Sequence, residues 1–101
     1  MIKHIVLWKL KPFAEGASRE QNMAAMKREL LALKGKIPQI GRLEVGTHLF
    51  PSDAAYDIAL YSEFPTEQDL DAYQKHPDHL RVAEFVGKVR ESRAVVDYRT
   101  D

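Results

Sequence analysis

The chain has 101 residues, of which 45% are hydrophobic and 30% are charged, a balance typical of a folded domain rather than a disordered segment. Fifteen Lys and Arg residues offset fifteen Asp and Glu residues, and this neutral sum argues against a general nucleic-acid-binding protein, which would carry a strong basic excess. The absence of cysteine excludes disulfides, thiolate catalysis and cysteine-ligated zinc, and it favours a cytoplasmic location.

The apolar segments are too short to predict a membrane partner. No stretch approaches the roughly 20 apolar residues of a membrane span, and the apolar run over residues 5–8 is too short for a secretory signal. The length matches a domain of ordinary small size. We therefore expect a single domain over residues 1–101, with neither a membrane nor nucleic acid as a partner.

The first predicted element is a strand over residues 1–11, where β-branched and aromatic residues are dense. Both faces of this strand carry apolar side chains near its middle. One face holds Ile2, His4, Val6, Trp8 and Leu10, and the other holds Lys3, Ile5, Leu7, Lys9 and Lys11. A strand with apolar residues on both faces has to be covered on two sides.

A helix is predicted after a loop over residues 12–17. Ser18 followed by Gln21 fits the capping box, in which two side chains satisfy free backbone N–H groups at the helix start. Apolar residues then recur every three or four positions, Gly35 is expected just past the helix end, and Pro38 stops the helix. The apolar stripe consists of Met23, Met26, Leu30, Leu33 and Ile37.

Two strands are predicted next, over residues 40–50 and 57–64. The run Pro51-Ser52-Asp53 between them is typical of a turn. A connection this short predicts that the two strands pair as an antiparallel hairpin.

The last third of the chain predicts a broken helix and a final strand. Thr66 begins a helix, and Pro77 ends it by disfavouring α geometry at His76. Proline suits the first turn of a helix, so a further helical segment is expected over residues 77–90. Residues 93–99, RAVVDYR, form the last predicted strand.

The element order β-α-β-β-α-β predicts the ferredoxin-like α+β fold, a four-stranded antiparallel sheet with helices on one face. Such a sheet leaves its other face open, while the first strand carries apolar residues on both faces. An exposed apolar face of that size marks an interface. We therefore predict a homodimer through the open sheet face, since two-fold dimers are the commonest assembly.

Several segments together resemble the stress-responsive A/B barrel domain family (Dabb), which consists of dimeric α/β barrels. They are the opening IKHIVLWKLK, the central helix, the run YQKHPDH and the VVDY near the end. The likeness covers nearly the whole chain and implies a ferredoxin-like protomer in a dimer whose two sheets form a barrel. The family includes plant stress proteins, uncharacterised bacterial proteins and plant polyketide cyclases, which close a linear polyketide by intramolecular aldol condensation.

The resemblance also implies a set of site residues. In the cyclases the second histidine of the HPxH motif is the general base, assisted by a tyrosine upstream, and these residues stand here as His79 and Tyr73. A pocket histidine of the first strand is matched by His4, whereas a further pocket histidine is replaced by Asp57, which would change the polarity of the pocket. We expect the same pocket to be lined by Val6, Trp8, Ala59 and Tyr61.

The position of His79 supports a chemical role independently. His79 falls in the first turn of the predicted helix over residues 77–90, where the helix dipole disfavours imidazolium, and a neutral imidazole can accept a proton near pH 7. Tyr73 could then donate a hydrogen bond to a developing enolate oxygen, although Asp78 would favour imidazolium. The residues leave open that His79 only hydrogen-bonds a backbone carbonyl and that His76 only caps the helix.

Two functions are consistent with these patterns. The first is a small homodimeric barrel protein that binds a small apolar or carbonyl-containing molecule in its pocket and applies histidine-based general-base chemistry, as a cyclase or lyase would. The alternative is a non-catalytic, stress-associated dimer whose barrel core is filled by its own side chains. No cofactor is expected, and no metal site is predicted because the histidine spacing in HPDH differs from that of known zinc motifs.

Overall fold

The sheet has four antiparallel strands, and helices cover one of its faces. The computed structural model describes residues 1–101. The sheet strands are β1 (Ile2–Leu10), β4 (Arg42–Thr47), β5 (Ile58–Phe64) and β6 (Arg90–Arg99), and a separate short ribbon is formed by β2 (Phe13–Ala14) and β3 (Ala17–Ser18). The helices are α1 (Arg19–Ala32), α2 (Glu67–Lys75) and α3 (Pro77–Val89). The strand order is β4-β5-β1-β6, which confirms the predicted ferredoxin-like α+β fold.

The strands differ from the prediction most clearly in three places. β4 ends before residues 48–50, which the sequence pattern assigns to the same strand. β6 begins directly after α3, because Arg90 already pairs with Leu10 of β1. The first predicted loop contains the β2–β3 ribbon, whose tight turn places Glu15 and Gly16 at positive φ.

Local hydrogen bonds explain where α1 begins and ends. The predicted capping box is present, since the Ser18 hydroxyl accepts from the Gln21 amide and the Gln21 side chain accepts from the Ser18 amide. The end differs from the prediction, because a 3₁₀ turn over Leu33–Gly35 follows α1 and two later amides donate to the Leu33 carbonyl. Gly35 therefore does not adopt the left-handed conformation expected of a terminal glycine.

Strand alternation decides which side chains of β1 face the helices. The buried face holds Ile2, His4, Val6, Trp8 and Leu10. Ile5 and Leu7 point to the other face of the sheet and are only half-buried. The core of 16 buried hydrophobic residues lies between the sheet and the helices. No helix has the length and apolar content needed to cross a membrane.

The face of the sheet away from the helices, here called the open face, has an apolar centre. Val96 and Tyr98 of β6 are 51% and 44% exposed there. Beside this centre, Lys3 Nζ lies 4.0 Å from Glu63 Oε2. The apolar residues of the open face are Ile5, Leu7, Ala59, Tyr61, Ala94, Val96 and Tyr98.

Candidate functional site

A cavity of about 270 Å³ lies between the covered face of the sheet and the helices. Its wall is mostly apolar, with eight hydrophobic residues among thirteen. The wall is formed by His4, Val6 and Trp8 of β1, Leu30 of α1, Leu60 of β5, Tyr73 of α2, His79, Val82, Ala83, Val86 and Gly87 of α3, and Arg90 and Arg93 of β6. An apolar wall with a few polar groups is the usual form of a small-molecule site.

The break between α2 and α3 brings Tyr73 and His79 together. His76 has extended backbone angles, φ −64° and ψ 136°, as expected for a residue before proline. Pro77 begins α3, and the His76 Nδ1 accepts a hydrogen bond from the Asp78 amide at 3.0 Å, which caps the helix. Tyr73 near the end of α2 and His79 in the first turn of α3 therefore lie side by side, with ring centroids 4.5 Å apart.

The hydrogen bond made by His79 determines which of its ring nitrogens can act as a base. The Nδ1 atom lies 3.1 Å from the carbonyl oxygen of Gln74. Because a carbonyl only accepts, Nδ1 carries the hydrogen and Nε2 of the neutral ring keeps its lone pair. Burial lowers the pKa of His79 below 6.5, partly opposed by the bond to Gln74 and assisted by nearby cationic groups. The ring is therefore neutral at pH 7 and can accept a proton at Nε2.

Tyr73 supplies a buried hydrogen-bond donor next to this base. Its side chain is fully buried, and its hydroxyl has no hydrogen-bond partner in the protein. Burial raises the pKa of Tyr73 to about 12, opposed by the positive charge of Arg93. The phenol thus stays protonated at neutral pH. Leaving a buried hydroxyl unpaired costs about 1–3 kcal/mol, which a ligand oxygen at this position would recover.

His4 reaches the same cavity from β1, and its orientation is held by Asp97. The two residues stand opposite each other where β1 pairs with β6, and His4 Nδ1 hydrogen-bonds Asp97 Oδ1. The His4 ring also packs edge-on against Tyr73, with centroids 6.1 Å apart. Sequence reasoning missed Asp97 as a site residue, although the VVDY motif contains it. The available signal was strand register, since pairing the last strand with the first places this carboxylate beside His4.

The structure corrects the predicted pocket at three positions. Ala59 and Tyr61 lie on the open face, because the covered face of β5 is built from the alternate residues that begin with Ile58. The Tyr61 hydroxyl donates to Glu63 at 2.6 Å on that open face. Asp57 precedes β5 and its Oδ2 accepts from the Leu10 amide at 2.7 Å, so it secures the end of β1 away from the cavity.

The remaining predicted residues meet in one place. His4, Val6, Trp8, Tyr73 and His79 all line the cavity between the sheet and the helices. No group of three or more His, Asp or Glu side chains is close enough together to hold a metal ion. The site therefore presents two imidazoles, a phenol and the side chains of Arg90 and Arg93 in an otherwise mostly apolar wall.

Comparison with known proteins identifies the family of this fold. The family model of the stress responsive A/B barrel domain, Dabb, matches residues 2–100 of the sequence. The chain belongs to this family. Two stress-response A/B barrel domain-containing proteins of Arabidopsis thaliana are each 31% identical to it, over 97% and 100% of this chain. The alignments cover 46% and 37% of those relatives, so this A/B barrel chain spans less than half of their length.

Several solved structures share the ferredoxin-like fold of this chain. A dimeric protein of unknown function with a ferredoxin-like fold from Bacteroides fragilis is 37% identical, with a TM-score of 0.83 over 98% of this chain and 95% of that one. A dimeric ferredoxin-like protein from Thermobifida fusca has a TM-score of 0.83 at 23% identity, covering 98% and 90% of the two chains. The hydroxynitrile lyase of Passiflora edulis has a TM-score of 0.80 at 23% identity, covering 99% and 93%.

Proposed function

We propose that this A/B barrel chain binds a small, mostly apolar carbonyl compound in the cavity between sheet and helices, and that His79 acts there as a general base. One observation carries the proposal. The His79 and Tyr73 rings lie 4.5 Å apart in the wall of a single, mostly apolar cavity. A base and a hydrogen-bond donor placed together in an apolar wall suit removal of a proton from the carbon next to a carbonyl group.

The proposed reaction uses groups whose protonation states support it. Nε2 of His79 takes the proton from the carbon, and the Tyr73 hydroxyl donates a hydrogen bond to the enolate oxygen that forms. The raised pKa of Tyr73 keeps the phenol protonated, and the lowered pKa of His79 keeps the imidazole neutral beforehand. The enolate can then attack a second carbonyl, as in a cyclase, and the alkoxide that forms takes the proton from His79 Nε2, or the proton can return to the carbon. His4, held by Asp97, contributes a second imidazole to the wall.

Exchange of carbon-bound hydrogen for deuterium tests this proposal without knowledge of the natural substrate. The probe is 4-phenylbutan-2-one in D₂O, and the measurement is the loss of its α-proton signals by NMR. We expect protein-catalysed exchange that falls about 100-fold or more in His79→Ala, because general-base catalysis contributes roughly that much. Tyr73→Phe should lower the rate while leaving the base in place.

A matched control separates the base from histidine chemistry in general. His48 is exposed in the segment after β4 and lies outside the cavity wall, so His48→Ala should exchange at the wild-type rate. Exchange by His79→Ala at the wild-type rate would refute the assignment of the base.

A second candidate function is binding or assembly without catalysis. The observation that favours it is the size of the cavity, about 270 Å³, which is below the roughly 300 Å³ at which ligand pockets usually begin. Thermal-shift measurements with small aromatic and β-keto compounds distinguish the alternatives, because a ligand that binds the folded state raises the unfolding temperature. Stabilisation without deuterium exchange supports binding alone, and the absence of both supports a filled core.

A further inference from the structure

The arginine side chains in the cavity wall are cationic, and the histidine side chains there become cationic when they are protonated. Arg90 and Arg93 stand among the lining residues, which include no Asp or Glu. Neither arginine forms an ion pair with a carboxylate elsewhere in the protein. Asp97, on the same side of β6 as Arg93, is instead hydrogen-bonded to His4. Two unpaired guanidinium groups therefore border a cavity that is otherwise mostly apolar.

We propose that the ligand carries a carboxylate, which Arg93 binds at the cavity mouth with Arg90 beside it. This inference rests on the proposed function and adds the chemical class of the ligand. A guanidinium group presents parallel N–H donors that match the two oxygens of a carboxylate. Charge-assisted hydrogen bonds of this kind are stronger than bonds between neutral groups.

A second donor stands next to Arg93. Trp8 of β1 lies directly opposite Arg93 where β1 pairs with β6, and both residues line the cavity. The Trp8 Nε1 group is buried and has no hydrogen-bond partner in the protein. Because an indole N–H can only donate, its partner must be an acceptor. A carboxylate at Arg93 would satisfy this donor as well.

The strand register separates the cationic end from the catalytic end. His4 and Trp8 are four residues apart on β1, which corresponds to about 13 Å of extended chain. The positive charge of Arg93 acts to lower the pKa values of both Tyr73 and His79, so its guanidinium group lies within electrostatic range of both rings. An acid whose carboxylate is bound by Arg93 would therefore extend along the cavity towards His79.

There is open space for such a molecule beside Gly87. Gly87 of α3 lines the cavity, and a Cβ atom built on it would have no neighbour within 4 Å. Glycine inside a helix lowers the stability of the helix relative to alanine, so the open space at Gly87 is accompanied by a less stable α3. The cavity volume of about 270 Å³ limits the ligand to a small acid rather than a long chain.

A pair of unreactive probes of nearly equal shape tests the ligand class. The probes are 3-phenylpropionate and its neutral analogue 3-phenylpropanamide, and the measurement is Kd by titration calorimetry at low salt. For the wild-type protein we expect the acid to bind about tenfold more tightly than the amide. Arg93→Gln should remove this preference and leave binding of the amide unchanged. High salt should weaken binding of the acid alone.

The control variant is Arg28→Gln, which makes the same change of charge. Arg28 of α1 is exposed, forms no ion pair and lies outside the cavity wall. We expect it to keep the preference for the acid. Arg93 and Arg28 are both exposed, so Arg93→Gln and Arg28→Gln should both fold. Their unfolding temperatures will verify this.

The outcomes distinguish this inference from the proposed function beneath it. Equal binding of acid and amide by the wild type, or an equal loss in Arg28→Gln, overturns the carboxylate assignment while leaving ligand binding in the cavity intact. Binding of neither probe overturns both. A preference for the acid that disappears only in Arg93→Gln supports the inference.

Discussion

The two ring nitrogens of His79 have different environments, and this difference leaves one of them free to accept a proton. Nδ1 donates a hydrogen bond to the carbonyl oxygen of Gln74, so Nε2 retains the lone pair. The sequence predicts a neutral ring from the position of His79 at a helix start. The structure adds burial as the main cause of its lowered pKa. A backbone hydrogen bond and a catalytic role are therefore compatible in this residue.

The lowered pKa of His79 predicts how stability depends on pH. As pH falls below 6.5, the unfolded chain takes up the His79 proton before the folded protein does. The contribution of His79 is therefore complete above pH 6.5 and is lost as pH falls towards the lower pKa of the folded state. We expect the unfolding temperature of the wild type to drop by a few degrees more than that of His79→Asn between pH 7.5 and 5.5.

Two details make this comparison specific. Asn keeps an amide donor for the Gln74 carbonyl but does not titrate in this range. His48→Asn is the control, because His48 is exposed and should retain the pH profile of the wild type. Parallel profiles for the wild type and His79→Asn would contradict the prediction.

Some residues of the site can be predicted from the sequence and others cannot. His79 and Tyr73 lie six positions apart across a proline break, so local chain geometry already places them near each other. Asp97 and His4 are 93 positions apart, and only the pairing of β1 with β6 brings them into contact. The prediction that Ala59 and Tyr61 line the pocket is wrong, because β5 carries small or apolar side chains on both faces and residue type does not show which face is buried.

At the scale of elements, short-range signals were sufficient to predict the architecture. Capping residues, the His76–Pro77 junction and hydrophobic periodicity predict the three α-helices and the four strands of the main sheet in the observed order, but not the β2–β3 ribbon. Strand ends were less predictable, because they depend on how far a neighbouring strand continues. β6 begins at Arg90 because β1 still offers Leu10 as a partner.

The glycine within α3 gives a prediction at this scale. Gly87 lies inside the helix with ordinary backbone angles and open space around its missing Cβ. Gly87→Ala should raise the free energy of unfolding by about 0.5–1 kcal/mol, because alanine loses less backbone entropy in a helix. Urea denaturation measures the change. Gly16→Ala is the contrasting variant and should destabilise, since Gly16 has φ of 72°. A decrease in stability for Gly87→Ala would refute the expectation.

At the scale of the whole molecule, the open face is an apolar surface that one chain leaves uncovered. The helices bury one side of β1, while Ile5 and Leu7 on its other side have no covering element. Similar proteins from Bacteroides fragilis and Thermobifida fusca are described as dimeric. Closing two such faces together would bury these side chains in both copies, which is the basis for the homodimer that we propose.

Two neighbouring valines of β6 allow a matched test of this dimer. Val96 points to the open face and is 51% exposed, whereas Val95 points to the opposite face and is 48% exposed. Val96→Glu would place a carboxylate in an apolar contact on each copy, and burying it unpaired is costly. Light scattering should report twice the 11.6 kDa chain mass for the wild type and for Val95→Glu, and a single chain mass for Val96→Glu. Because the two substitutions differ only in the face they alter, equal masses for both variants would mean that the open face does not form the dimer contact.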